Sequence, residues 1–241
     1  MSRFVTLLRE RSFTLIASLP ANDPELSRAA LEGGADVIKV HINVHHRASG
    51  MSFGSLQEER ERLAEILRVC GRRAPVGIVP GGPPVVEADL VEALRDMGFD
   101  FISAYAHHLC PACLSVEGIG KMVAADFSYS SDEIAALAQM AFDVFEASIT
   151  RPETYGERLS LRDLATYRKL CDTVSQPVVV PTQRVILPGE VGQLAQAGSK
   201  AVMAGAIVTG RTAESIYETV RSFREEISKL DCPGARCCSV T

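Results

Sequence analysis

No apolar run in the chain approaches the roughly 20 residues needed to span a bilayer, so no membrane role is expected. The first residues, MSRFVTLLRERSF, lack the apolar centre of a signal peptide, which points to the cytoplasm. There is no basic stripe and no alternation of basic with aromatic residues, and the net charge is -5. Nucleic acid is therefore not an expected partner. The seven cysteines are odd in number and irregularly spaced, which argues against a secreted disulfide scaffold and for mostly reduced thiols. After the first apolar run, SLPAND lacks the G-x-G-x-x-G turn usual in an open doubly wound sheet. No composition shift or low-complexity segment divides the chain before residue 231. The last stretch, DCPGARCCSVT, reads as a Cys-containing tail over 231–241, disordered or loosely docked.

What is present is a regular alternation. Hydrophobic residues make up 46% of 241 and charged residues 23%, enough for a sizeable core in a soluble protein. Apolar, Val- and Ile-rich runs predict strands over 13–19, 35–43, 75–79, 99–106, 121–128, 142–149, 177–180 and 201–204. Helical spacing fills the gaps. Asn22 or Asp23 caps a helix with Pro24 at its first position, and Ser55 caps one that runs to Cys70. Glu87–Met97 stops at Gly98, Ser131 caps the next helix, and 161–174 forms another. The last carries Ile216, Val220, Phe223, Ile227 and Leu230 on one face, and a short helix over 3–10 precedes the first strand. Eight strands alternating with helices through short connections predict a parallel sheet. Closure into a (β/α)8 TIM barrel over 1–230 leaves no edges.

In such a barrel the loops after the strands form the active face. All five histidines fall there: His41, His45 and His46 after the second strand, His107 and His108 after the fourth. Cys110 and Cys113 join them, and Cys-x-x-Cys with His offers a ligand set for Zn²⁺. The same residues can equally hydrogen-bond substrate or backbone, or simply pack, so metal and cofactor stay open. Strand alternation gives a second group. Lys39, His41 and Asn43 share one face; so do Ser103, Tyr105 and His107, Asp126 and Ser128, and Glu146 and Ser148. Polar residues spaced by two within apolar strands belong at a barrel mouth. Lys39, His41, Asp126, Glu146 and His107 are the catalytic candidates, with Lys39 and Asp126 as an acid–base pair. The competing reading is a structural ion pair of Lys39 with Asp126 or Glu146. At the end of the chain, Gly205 and Ala206 follow a strand and precede a helix, a place where free backbone N–H groups take anions. Gln183, Arg184, Gly205, Ala206 and Gly210 are the phosphate-binding candidates.

Three stretches carry a family resemblance: VAADFS (123–128), VFEASITRPET (144–154) and VMAGAIVTGR (202–211). They resemble the fifth strand, the sixth strand with its Thr-rich loop, and the final strand with its phosphate loop in the ribulose-phosphate-binding barrel superfamily. Within it, they are most similar to the N-acetylmannosamine-6-phosphate 2-epimerase family. The resemblance covers about the second half of the chain. It implies a (β/α)8 barrel, a phosphate site, and a catalytic role for Asp126. Three positions depart. The family's catalytic Lys after strand three meets Pro80, its Glu after strand seven meets Thr182 or Gln183, and its substrate-binding Arg meets Lys39. The fold and phosphate site are thus implied, and the epimerase chemistry is not.

These readings converge on a phosphorylated small molecule as ligand and a sugar-phosphate isomerase, epimerase or lyase as function. The rival classes are a non-catalytic phosphometabolite sensor and a metal-dependent hydrolase using the His/Cys group. A homodimer is the expected assembly.

Overall fold

The computed structural model describes residues 2–230. The expectation for the tail, with Cys232, Cys237 and Cys238, lies outside them. Eight parallel strands close into a barrel: β1 (Thr14–Ser18), β2 (Val37–His41), β3 (Val76–Val79), β4 (Phe101–Tyr105), β5 (Gly120–Asp126), β6 (Val144–Ser148), β7 (Val178–Pro181) and β8 (Ala201–Ala204). Each pairs with its sequence neighbours, and β8 returns to β1 through Thr14↔Ala201 and Ala17↔Ala204. Helices α2 (Pro24–Glu32), α3 (Leu56–Cys70), α4 (Ala88–Met97), α5 (Ser131–Leu137), α6 (Leu161–Thr173) and α7 (Val191–Gln196) connect successive strands, and α9 (Ala213–Leu230) follows β8. Between β4 and β5 the connection is made of short 3-10 turns. The fold class is the (β/α)8 TIM barrel expected.

Sequence signals set most boundaries. Asp23 caps α2, accepting from the Glu25 N–H, with Pro24 next. Ser55 and Glu58 form a reciprocal capping box at α3. Gly98 ends α4 at φ 101°, a left-handed conformation that favours glycine. The cap of α5 is Ser130 and not Ser131, because Glu133 completes the reciprocal box with Ser130. Some elements near the site went unforeseen. His45–His46 pairs with Met51–Ser52 as a small antiparallel ribbon in the loop after β2, and a four-residue helix, α8 (Ala206–Thr209), follows β8 directly.

The barrel lumen is divided by height. Its lower layer is apolar: Ile16, Val37, Phe101, Met122, Val144, Val179, Ala201 and Met203 meet there. Helix α1 (Arg3–Glu10) closes this end with Phe4, Val5 and Leu8, and the Phe4 ring stacks on Phe101 at 3.8 Å. Phe101 fits because β3 has Gly77 beside it; a Cβ there would sit 2.0 Å from the ring. A second, larger apolar layer lies between the strands and the outer helices.

An aspartate precedes each of β2, β4 and β6. Asp36, Asp100 and Asp143 each accept, through a side-chain oxygen, the N–H of a residue on the preceding strand: Leu15, Val76 and Lys121, at 2.8, 2.9 and 2.8 Å. Each also donates its own N–H to that residue's carbonyl, so both backbone groups are held at once. Arg3 binds Asp100 at 2.8 and 2.9 Å, while Arg11 and Arg224 bind Asp36. This array fixes the strand register at the end opposite the polar site.

Candidate active site

Two residues above the apolar layer, the same inward faces turn polar. A cavity of about 870 Å³ opens at the C-terminal ends of the strands. Its floor holds Lys39 and Glu146, whose side chains are 5% and 8% exposed. Lys39 Nζ lies 3.1 Å from Glu146 Oε2 and 3.2 Å from Ser103 Oγ. Ser103 donates to the same carboxylate oxygen at 2.6 Å, and Ser148 donates to Oε1 at 2.8 Å. Burial would raise the Glu146 carboxyl, but the Lys39 charge and the two hydroxyls outweigh it and hold it below its usual range. Glu146 is thus an ionised carboxylate. The Lys39 ammonium has three protons and two protein acceptors, leaving one for a ligand.

His41 stands one step higher on β2. Asn22 bonds its backbone N–H and carbonyl, and its ring packs on His46 at 4.4 Å and Phe53 at 4.8 Å. Its Nδ1 is buried with no partner among the described residues. Burial, then the neighbouring His46 and Lys39 charges, push its pKa well below 6.5, so the ring is neutral. His46 is held at about 4 by burial and by Lys39. Two strands along, the wall at the end of β4 carries Tyr105, His107 and His108. The His107 ring stacks on Tyr105 at 5.3 Å, and its Nδ1 meets the Tyr129 hydroxyl at 3.1 Å.

Asp126 lines the cavity but does not meet Lys39; its Oδ1 accepts the N–H and hydroxyl of Ser128 at 2.9 and 2.6 Å. The partner of Lys39 is Glu146. The register explains this: Asp126 pairs with Ser148, and Glu146 pairs with Ala124, so Asp126 sits one rung nearer the mouth. Gln183 faces the cavity and is bonded through the Thr150 N–H, the Ser148 carbonyl and the Tyr155 hydroxyl. Arg184 lies outside the lining. Its guanidinium is taken by Glu157, Asp163 and the Thr154 carbonyl. Gly205 lines the cavity, but its N–H donates to Thr182 Oγ1 at 2.9 Å. Ala206 and Gly210 lie outside the lining, while Ile207 is part of it. Gly210 turns the chain at φ 67° into α9.

The His and Cys side chains that offered a ligand set for Zn²⁺ do not gather as one group. Among the described residues, no three His, Cys, Asp or Glu side chains come together as metal ligands. His45 turns to Ser52, and Cys113 turns into the core toward the Val86 carbonyl. Arg47 is the residue that sequence reasoning missed. It lines the cavity and has no carboxylate partner among the described residues. Its loop reaches across β1 toward the end of β8, where a Cβ on Gly50 would lie 3.5 Å from Arg211 Nη2. The only sequence signal was a lone Arg in a loop after a strand.

Fold and site together define a TIM barrel with an open-mouthed cavity at the C-terminal ends of its strands, floored by charged and polar side chains. No family model and no curated protein sequence matches the chain. Solved structures match its fold. Thiamine phosphate pyrophosphorylase from Pyrococcus furiosus superposes with a TM-score of 0.64 at 16% identity, over 91% of this chain and 97% of that one. A native KDPGal structure gives 0.64 at 15%, over 92% and 98%. KGPDC from Streptococcus mutans gives 0.64 at 14%, over 91% and 99%. These likenesses are of fold. Among the described residues, no helix is long and apolar enough to cross a membrane.

Proposed function

We propose that the chain is an enzyme that binds a phosphorylated sugar, or a related carbonyl compound, and moves a proton beside the carbonyl. That is the chemistry of an isomerase, epimerase or lyase. The observation that carries this reading is the buried Lys39–Glu146 pair on the cavity floor, braced by Ser103 and Ser148. A carboxylate and an ammonium side by side can share the work. Glu146 takes the proton from the carbon next to the carbonyl, and the free Lys39 proton stabilises the oxyanion that develops. Away from bulk water, that stabilisation is stronger than at a surface. Asp126, neutral His41 and His107 line the walls above and contact the rest of the substrate. Arg47, in the lining of the same cavity as Gly205 and Ile207, supplies the cation for the phosphate end. Arg184 and Gly210 have no part in this reading.

The fold neighbours support a phosphorylated ligand only by analogy, one of them being named for thiamine phosphate. The similarity of 123–128, 144–154 and 202–211 to the epimerase family points the same way. Pro80, and Thr182 or Gln183, where that family has its Lys and its Glu, keep the epimerase reaction itself from carrying over.

The test is hydrogen exchange at carbon. Purified protein in D₂O is given a panel of phosphorylated aldoses, ketoses and keto acids, and each is followed by proton NMR. One class should lose signal beside its carbonyl, and Glu146→Gln should slow that loss by about a hundredfold or more. A phosphorylated compound that binds with neither exchange nor turnover would replace the enzyme reading with the sensor.

A further inference from the structure

The connection between β4 and β5 carries chemistry that Lys39 and Glu146 do not use. Cys110-Pro111-Ala112-Cys113 opens the 3-10 turn Pro111–Ser115, with Cys110 at its N-cap. The two sulfurs lie 3.5 Å apart, in contact, and both thiols are free. Cys113 is fully buried and donates to the Val86 carbonyl at 3.3 Å, whereas Cys110 is partly exposed. The Cys110 N–H donates to the same carbonyl at 3.0 Å, and the Val86 N–H donates to the His108 carbonyl at 2.8 Å. Val86 therefore holds both cysteines in one arrangement. The other cysteines of the described residues have no such neighbour; Cys70, for example, meets only Ser27 Oγ.

We propose that Cys110 and Cys113 are a redox site, a dithiol that exchanges reversibly with low-molecular-weight disulfides. In the first step the Cys110 thiolate attacks one sulfur of the small disulfide. A mixed disulfide forms on Cys110, and the first small thiolate leaves and takes up the proton that Cys110 gave. In the second step the Cys113 sulfur attacks Cys110, the mixed disulfide breaks, and the second small thiolate leaves with the Cys113 proton. Two protein thiols are oxidised, and one small disulfide is reduced to two thiols.

The order of attack follows from the structure. Solvent reaches Cys110, while burial pushes the Cys113 thiol up to about 12. Cys113 faces the Cys110 sulfur, so it resolves and does not initiate. Bond formation draws the sulfurs from 3.5 Å to roughly 2 Å. That movement tightens the turn next to His107 and His108, which line the cavity, with His108 packed on Gly82. The redox state would thus be felt at the wall of the active site. The proposal itself does not depend on what the cavity binds.

The experiment uses the full chain, equilibrated with oxidised and reduced glutathione in varied ratio, quenched in acid, alkylated, digested and weighed. In excess oxidised glutathione, the peptide holding residues 110–113 should become about 2 Da lighter and resist alkylation, and dithiothreitol should reverse both. Cys113→Ser should stop at glutathione held on Cys110, and Cys110→Ser should leave Cys113 reduced. The measurement on the parent chain needs no variant, so a poorly folding substitution leaves it intact. Full alkylation of both cysteines in excess oxidised glutathione would overturn the proposal, as would a bond from Cys110 to any other cysteine.

Discussion

At the scale of single residues, the Lys39–Glu146 pair has a stability signature as well as a chemical role. Each charge is buried and each compensates the other. Lys39→Met leaves Glu146 buried without its cation, which costs about 3–5 kcal/mol. The double change Lys39→Met with Glu146→Leu removes both charges and should regain most of that loss, while turnover stays absent in all variants. Urea unfolding of the two singles and the double gives the coupling directly. His46 adds a pH dependence. An unfolded His binds its proton near 6.5, whereas folded His46 binds it only near 4. The unfolded chain therefore holds more protons between those values. The stability is fully present above about pH 6.5 and is lost as pH falls toward 4. Between pH 7.5 and 5 the expected loss is about 1–2 kcal/mol, and His46→Asn should flatten the slope.

At the scale of elements, the aspartates before β2, β4 and β6 act as clamps. Asp100→Ala frees the buried Val76 N–H and leaves Arg3 without its carboxylate, with only the Gly71 carbonyl to bond. The expected cost is about 2–4 kcal/mol, read as a lower urea midpoint at unchanged slope. The motif was visible in the sequence as Ala35-Asp36-Val37, Phe99-Asp100-Phe101 and Phe142-Asp143-Val144, yet nothing in a single strand says that its Asp reaches the strand before it. The same limit applies to the site. Alternation along a strand names the face a side chain takes, so Lys39, His41, Asp126 and Glu146 were legible as inward residues. It does not give height in the barrel, which depends on stagger between strands. Hence the sequence left Asp126 and Glu146 both open as ion-pair partners of Lys39 and favoured Asp126 for acid–base work, and Glu146, 107 residues away, is the partner found. The surroundings of Arg184 were not legible for a related reason. Its carboxylates, Glu157 and Asp163, come from the preceding strand–helix unit. Helix limits were more readable, because caps and left-handed glycines act within a few residues of the end they set.

At the scale of the whole molecule, the eight strands and the helices and 3-10 turns that join them give a barrel whose two ends differ in kind. The short N-terminal helix showed its apolar face in the sequence. Its task, packing Phe4 on Phe101 beneath the lumen, required knowing that the strands close. Among the described residues the apolar plug closes the lower end, so the cavity opens toward the C-terminal ends of the strands. A substrate that enters there and a product that leaves there use the same doorway and, under the proposed chemistry, the same floor. Both occupy the same floor, so only one is bound there at a time. Traffic is therefore strictly in turn, and product accumulating outside competes with fresh substrate for the empty barrel. Its slowing effect should vanish when substrate is raised far enough, leaving the maximal rate untouched.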